Sequence, residues 1–208
     1  MSEMVHAAET LAHVGPAVSI FGSARLPQDS PYCELSRDLG ARLAAAGFAV
    51  IAGGGPGIMA AANQGAFEAK GISIGLNIAL PSEKKNNPYQ TIDLPFEYFY
   101  SRKATFFMHS MAYIALPGGF GTLDELFEAL TLIQTGKVPA GPIILVGSEF
   151  WQGLIDWLEA EVLKLGMVTP SHMSLFTIED DPVKVIEQIL AFEYQHLEQA
   201  DRPSTLPR

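Results

Sequence analysis

Tyr113-Ile114-Ala115-Leu116-Pro117-Gly118-Gly119-Phe120-Gly121-Thr122-Leu123-Asp124-Glu125 places a strand, a glycine turn, a hydroxyl and a carboxylate in immediate succession. Tyr113 to Leu116 is an apolar run of strand length, and Leu123, Leu126, Phe127, Leu130 and Ile133 then mark one face of a helix. The turn between them is a candidate anion site. Gly118, Gly119 and Gly121 let backbone N–H groups approach a ligand, the helix N-terminus presents unpaired donors and a partial positive charge, and Thr122 adds a hydroxyl. A phosphate meets these requirements.

A second segment of the same design lies upstream. Phe48-Ala49-Val50-Ile51-Ala52 runs into Gly53-Gly54-Gly55-Pro56-Gly57 and then Ile58-Met59-Ala60-Ala61-Ala62. Pro56 donates no hydrogen bond but presets φ for a first helical turn, so a strand again delivers the chain onto a helix N-terminus. Two such turns can line one pocket. Neither is a familiar nucleotide fingerprint: the first lacks the Gly-Lys-Ser/Thr ending of a P-loop, and neither keeps the third glycine of G-x-G-x-x-G. ATP-driven and NAD-dependent chemistry are therefore disfavoured, and no cofactor is required.

Strands and helices alternate along the rest of the chain. Val18 to Phe21 reads as the first strand, and Leu35, Leu39 and Leu43 mark a helix that Gly47 ends. Further strands are expected at Ala49 to Ala52, Ile72 to Ile78, Tyr113 to Leu116, Ile143 to Val146 and Leu175 to Ile178. The strands are apolar without strict alternation, which predicts a parallel sheet covered on both faces: a single-domain, Rossmann-like, doubly wound α/β fold. Ligands in such sheets bind at the carboxyl ends of strands. Both glycine turns sit at such ends, as does Gly22-Ser23-Ala24-Arg25 after the first strand. Pro81 to Pro95, rich in Pro, Asn and charge, reads as a surface loop, and residues 1–15 and 199–208 as mobile tails around a domain at 16–198.

The 208 residues suit one such domain, and 48% hydrophobic content is ample for its core. A net charge of −10 argues against a broad nucleic-acid surface, which needs clustered Lys and Arg. Any phosphate bound should be small and met locally. Cys33 is the only cysteine, so an intracellular, cytoplasmic address is the expectation. The start of the chain carries Glu3 and Glu9 and lacks the basic, then apolar, character of a signal peptide, and no segment reaches the ~18 apolar residues of a membrane helix. His6, His13, His109, His172 and His196 form no short-spaced cluster with carboxylates, so no metal site is expected.

Each candidate also has a bland reading. Thr122-Leu123-Asp124-Glu125 matches a capping box, with Thr122 capping the helix and Glu125 reaching back to the cap's N–H; Asp124 then reads as first-turn charge favoured by the helix dipole. Arg102 and Lys103 open another helix, where cations oppose the macrodipole; they are either ligand anchors or solvated surface charges. Lys84-Lys85 reads as solvent-facing. Ser23 lies in no G-x-S-x-G elbow, so a contact to ligand suits it better than nucleophilic attack.

Taken together, Gly53-Gly54-Gly55-Pro56-Gly57-Ile58-Met59, Arg102-Lys103 and Pro117-Gly118-Gly119-Phe120-Gly121-Thr122-Leu123-Asp124-Glu125 resemble the LOG family, whose signature is P-G-G-x-G-T-x-x-E. The resemblance covers roughly Ala17 to Leu190. It implies a Rossmann-like homodimer that hydrolyses the N-glycosidic bond of purine nucleoside 5′-monophosphates, AMP or N6-modified cytokinin nucleotides, without a metal or cofactor. It implies Glu125 and Arg102 as catalytic residues, with Ser23, Gly54, Gly55, Gly57, Lys103, Gly118, Gly119, Gly121 and Thr122 around the substrate. Tyr100 and Met111 depart from the family's pattern, standing where members often carry His and Asp near the base. The older label "lysine decarboxylase" finds no support, because a pyridoxal enzyme needs a Schiff-base lysine and a large cofactor domain. A non-catalytic nucleotide-binding or regulatory protein, or a carrier or sensor of another phosphorylated metabolite, is the alternative. Bulky apolar residues at Phe106, Phe107, Met108 and Met111, and on the helix from Leu123 to Ile133, exceed what one packed face obviously needs; they either complete the core or form a dimer interface, and the family's habit of dimerising through helices beside the active site implies the interface.

Overall fold

The computed structural model describes residues 2–79 and 86–200. Seven strands form one sheet in the order β4-β3-β2-β1-β5-β6-β7, with every neighbouring pair parallel. They are β1 (Ala17–Phe21), β2 (Ala49–Ala52), β3 (Ser73–Ile78), β4 (Ile92–Phe96), β5 (Ala112–Ala115), β6 (Ile143–Leu145) and β7 (Phe176–Ile178). The helices are α1 (Ser2–Leu11), α2 (Pro31–Ala45), α3 (Ile58–Glu68), α4 (Phe99–His109), α5 (Phe120–Gln134), α6 (Ser148–Trp157), α7 (Pro170–Met173) and α8 (Pro182–Ala200), with a π-helical turn at Leu158–Leu163.

The apolar strands follow from the two-sided covering. Because side chains alternate along a strand, Ala49, Ile51, Tyr113 and Ala115 face a core shared with α1, α4, α5 and α6, while Val50, Ala52, Ala112 and Ile114 face a second core shared with α2, α3 and α8. Local signals start the helices. Pro31 stands at the first turn of α2, where a missing N–H costs nothing, and the Ser30 hydroxyl accepts the Cys33 N–H at 3.3 Å.

Strand order reverses between β1 and β5, and this switch point gathers the turns singled out in the sequence. The Ser23 N–H donates to Pro117 O at 3.0 Å, and the Ile58 N–H donates to Ser23 O at 2.9 Å. Three loops, after β1, β2 and β5, are thus stitched into one floor. Gly57 (φ 65°) lies against the Ser23 and Ala24 backbone, and Gly54 (φ 75°) against the Asn77 side chain; both its backbone angle and its neighbour exclude a side chain at either position.

Three segments differ from expectation. Within residues 1–15, Ser2–Leu11 is helix rather than tail: α1 buries Ala7 and Leu11, and Glu3 accepts the Glu97 N–H at 2.7 Å and the Ser101 hydroxyl at the start of α4. The domain therefore begins before residue 16. Within the loop expected at 81–95, Ile92–Phe96 is edge strand β4; Pro95 is tolerated there because an edge strand spends only one side of its backbone on pairing. Lys84 and Lys85 lie outside the described residues. At the C-terminus α8 runs through Ala200, so residues 199 and 200 are helical; 201–208 lie outside the described residues.

Candidate active site

The signature turn supplies helix N-terminal donors, but not through a capping box. Gly119 is the N-cap of α5 and no side chain caps it, so Thr122 is the third helical residue and Glu125 lies a full turn inside. Glu125 cannot reach back to the cap. The capping reading fails, and with it the reading of Asp124 as first-turn charge. Thr122 is buried against Gly118, whereas nothing lies within 4 Å of where a side chain at Gly119 or Gly121 would begin. The turn is open on the side a ligand would occupy.

Glu125 instead meets Arg102. Arg102 Nη1 stands 3.9 Å from Glu125 Oε1, a charge contact longer than a hydrogen bond, with side-chain exposures of 8% and 14%. Burial pushes the Glu125 carboxyl up to about 7, the nearby Arg102 charge opposing that shift only in part. A carboxyl poised near neutrality beside a desolvated guanidinium is the arrangement that proton transfer or cation stabilisation requires.

Arg102 also does structural work that its sequence does not announce. Its Nε donates to Leu76 O at 2.7 Å and its Nη2 to Gly53 O at 3.1 Å, and the guanidinium lies 5.4 Å from the Phe106 ring centre. Two charge-assisted bonds and a ring face offset the cost of burying a cation in the first turns of α4. The same side chain thereby ties the end of β3 and the turn after β2 to the Glu125 carboxylate.

Lys103, expected at the ligand, turns the other way. Its Nζ pairs with Asp124 at 3.0 Å and Glu128 at 2.6 Å on α5, and these two carboxylates, Glu128 foremost, hold it charged. The Lys103 clamp locks α4 to α5 and so fixes the distance between Arg102 and Glu125. Ser23 contributes its backbone to the floor, while its hydroxyl accepts the Arg25 N–H at 3.1 Å. Gly55 and Gly57 lie in the turn after β2 beside Gly54. Tyr100 is 61% exposed and stacks on Tyr98 rather than lining an enclosed base pocket. A cleft of about 720 Å³, bordered by Asn77, Ile78, Phe96 and Tyr98 and by Ser2 and Glu3 of α1, opens beyond the end of β3.

Sequence reasoning missed Asn77, Asn87 and Gln90, whose side-chain amides surround the turn after β2. The only local signal was the density of Asn, Pro and Gln in the segment assigned to a loop. Among the described residues, no three His, Cys, Asp or Glu side chains are grouped to hold a metal ion, and no helix is long and apolar enough to cross a membrane.

A parallel, doubly wound sheet with glycine turns and a buried carboxylate–guanidinium pair near its switch point defines a Rossmann-like α/β protein with a candidate ligand site there. Residues 59–189 match the family model described as "Possible lysine decarboxylase", and the chain belongs to that family, the LOG family. The chain is 30% identical over 158 residues to the cytokinin riboside 5′-monophosphate phosphoribohydrolase of Mycobacterium tuberculosis, covering 74% of this chain and 83% of that one. A phosphoribohydrolase of the same name from Arabidopsis thaliana is 27% identical over 167 residues, 78% of this chain and 72% of its own. Among solved structures, the molybdenum cofactor binding protein of Rippkaea orientalis superposes with a TM-score of 0.62 at 25% identity, over 86% of this chain and 98% of that one. The molybdenum cofactor carrier protein of Chlamydomonas reinhardtii gives a TM-score of 0.60 at 22% identity, over 85% and 98%, a likeness of fold.

Proposed function

We propose that this chain hydrolyses the N-glycosidic bond of purine nucleoside 5′-monophosphates, AMP or N6-modified cytokinin nucleotides, to the free base and ribose 5-phosphate. The observation that carries the reading is the buried Arg102–Glu125 pair behind two open glycine turns. Water adds to C1′ as the bond to the base breaks, and positive charge develops on the ribose, as in glycoside hydrolysis. The ionised Glu125 carboxylate holds the ribose hydroxyls, stabilises that charge and orients the water, and the Arg102 guanidinium keeps Glu125 in place and favours its ionised form. N–H groups of the turns at Gly54, Gly55 and Gly57 and at Gly118, Gly119 and Gly121, with Thr122, hold the 5′-phosphate, whose binding energy positions the sugar. Incubation with AMP should release adenine, measured by chromatography, and adenosine should be at least tenfold poorer in kcat/KM. Equal rates on the two would remove the phosphate anchor.

A carrier of another phosphorylated compound is the rival reading, supported by the structural likeness to a molybdenum cofactor binding protein. Binding a phosphate needs the glycine turns alone. The desolvated carboxylate beside them favours catalysis, and a protein that binds AMP without releasing adenine would be the carrier.

The active form is proposed to be a homodimer. The residues that first suggested an interface lie largely inside: Phe106, Phe107, Leu126 and Ile133 are buried and Leu123 and Leu130 half-buried. Of that set Met108 at 63% and Phe127 at 37% are exposed, and next to them Phe99 at 53% and Phe120 at 93% are exposed as well. Exposed apolar side chains flanking a site are what a two-fold contact covers. Light scattering after gel filtration at micromolar concentration should give about twice the 22.5 kDa chain mass; a clean monomer would reject the assembly.

A further inference from the structure

We infer that Asn87 and Gln90, in the segment between β3 and β4, are positioning residues that aim the amides of the Gly53–Gly57 turn at the substrate phosphate. The inference rests on the reading that this turn holds a phosphate. Gly54 O accepts three donors: the Asn87 N–H at 2.8 Å, Asn87 Nδ2 at 2.9 Å and Gln90 Nε2 at 3.1 Å. Asn87 Nδ2 also lies 3.2 Å from Gly55 O and 3.0 Å from Asn63 Oδ1 on α3. The two side chains are themselves held, since Asn87 Oδ1 accepts the Tyr89 N–H at 3.1 Å and Gln90 Oε1 accepts Asn77 Nδ2 at 2.8 Å.

A carbonyl oxygen has two lone pairs, so three donors on Gly54 O exceed what satisfying it requires. Their effect is directional. In a trans peptide the N–H points opposite to the C=O, so holding Gly54 O toward Asn87 and Gln90 turns the Gly55 N–H away from them. Arg102 does the same for the preceding peptide by holding Gly53 O, which turns the Gly54 N–H away from its guanidinium. Among the described residues neither the Gly54 nor the Gly55 N–H donates a hydrogen bond, so both remain available to a ligand. Without the clamp, two adjacent glycines would allow the peptide to rotate and present a carbonyl oxygen, which repels phosphate.

The test measures ribose 5-phosphate affinity by calorimetry, with kinetics on AMP and adenosine, for the parent, Asn87→Ala and Gln90→Ala. Asn87→Ala should weaken ribose 5-phosphate binding at least fivefold and raise KM for AMP by a similar factor, with kcat and the adenosine kcat/KM within twofold of the parent. Each variant removes one of the three donors on Gly54 O, but Gln90→Ala leaves the Asn87 Nδ2 contacts to Gly55 O and Asn63 in place, so it should show the same pattern at a smaller size, and it carries the test if Asn87→Ala does not fold. Unchanged affinity in both variants, an equal loss on AMP and adenosine, or a parent that does not bind ribose 5-phosphate would each overturn the inference. A parent that binds ribose 5-phosphate but leaves AMP intact would sink the proposed reaction alone, because the affinity measurements would still decide the role of the clamp.

Discussion

Glu125→Gln is expected to lower kcat/KM for AMP at least tenfold, a loss of about 1.4 kcal/mol of transition-state stabilisation, while leaving ribose 5-phosphate binding in place. The same substitution should stabilise the fold at alkaline pH. Burial raises the Glu125 carboxyl from its ordinary 4.5 to about 7. Below pH 4.5 the group is protonated in both folded and unfolded chains and costs nothing. Between these values the unfolded chain releases its proton and the native one keeps it, so native stability falls; above about 7 the full cost, roughly 3 kcal/mol, is present. Glutamine has no charge to bury. The stability difference between variant and parent, read from denaturant titrations, should therefore be near zero at pH 4 and grow in the variant's favour to pH 8. In the parent, kcat/KM should rise with pH through about 7, since the carboxylate is the working form. Full activity in Glu125→Gln would remove Glu125 from the mechanism, and a pH-independent stability difference would refute its burial as a charged group.

Arg102→Met should behave oppositely in stability while also abolishing activity. Methionine fills comparable space but leaves Leu76 O and Gly53 O without their charged donor. Losing two charge-assisted hydrogen bonds and stranding two buried carbonyls costs about 3 kcal/mol or more. For a domain of this size that corresponds to a fall in Tm of roughly 10 °C, measurable by calorimetry or circular dichroism. Activity should fall beyond the Glu125→Gln level, because the turn after β2 and the carboxylate lose their common tether. A variant with parental Tm would show that the two carbonyls do not need the guanidinium.

The contrast between these residues explains what the sequence reveals. The glycine turns are legible because strand, turn and helix are contiguous, and each piece carries a local signature. Six of the seven strands are legible for a related reason, since a parallel sheet covered on both faces demands short runs such as Val18 to Phe21 that few other environments permit. Strand β4 is obscured by Asp93 and Pro95, which only an edge position accommodates. Helix α1 is obscured because the small Ala7 and the single Leu11 are enough to dock it, and its anchor Glu3 finds partners 94 and 98 residues away. Arg102 and Lys103 stand side by side and look alike, yet one enters the site and the other pairs with Asp124 and Glu128. Their destinations depend on carbonyls and carboxylates contributed by distant segments, which adjacency cannot encode. The amides of Asn87 and Gln90 are hidden for the same reason, as their acceptors lie across the fold in the turn after β2.

Helix α1 bears on how the protein can be handled. Glu3 receives the Glu97 N–H and the Ser101 hydroxyl at the head of the helix that carries Arg102 one residue further on, and those donors hold its carboxyl below the usual range. The grip persists above that lowered range and is released as acid protonates Glu3. A purification handle or fusion partner appended ahead of Ser2 would therefore crowd a fastening of the Arg102 helix.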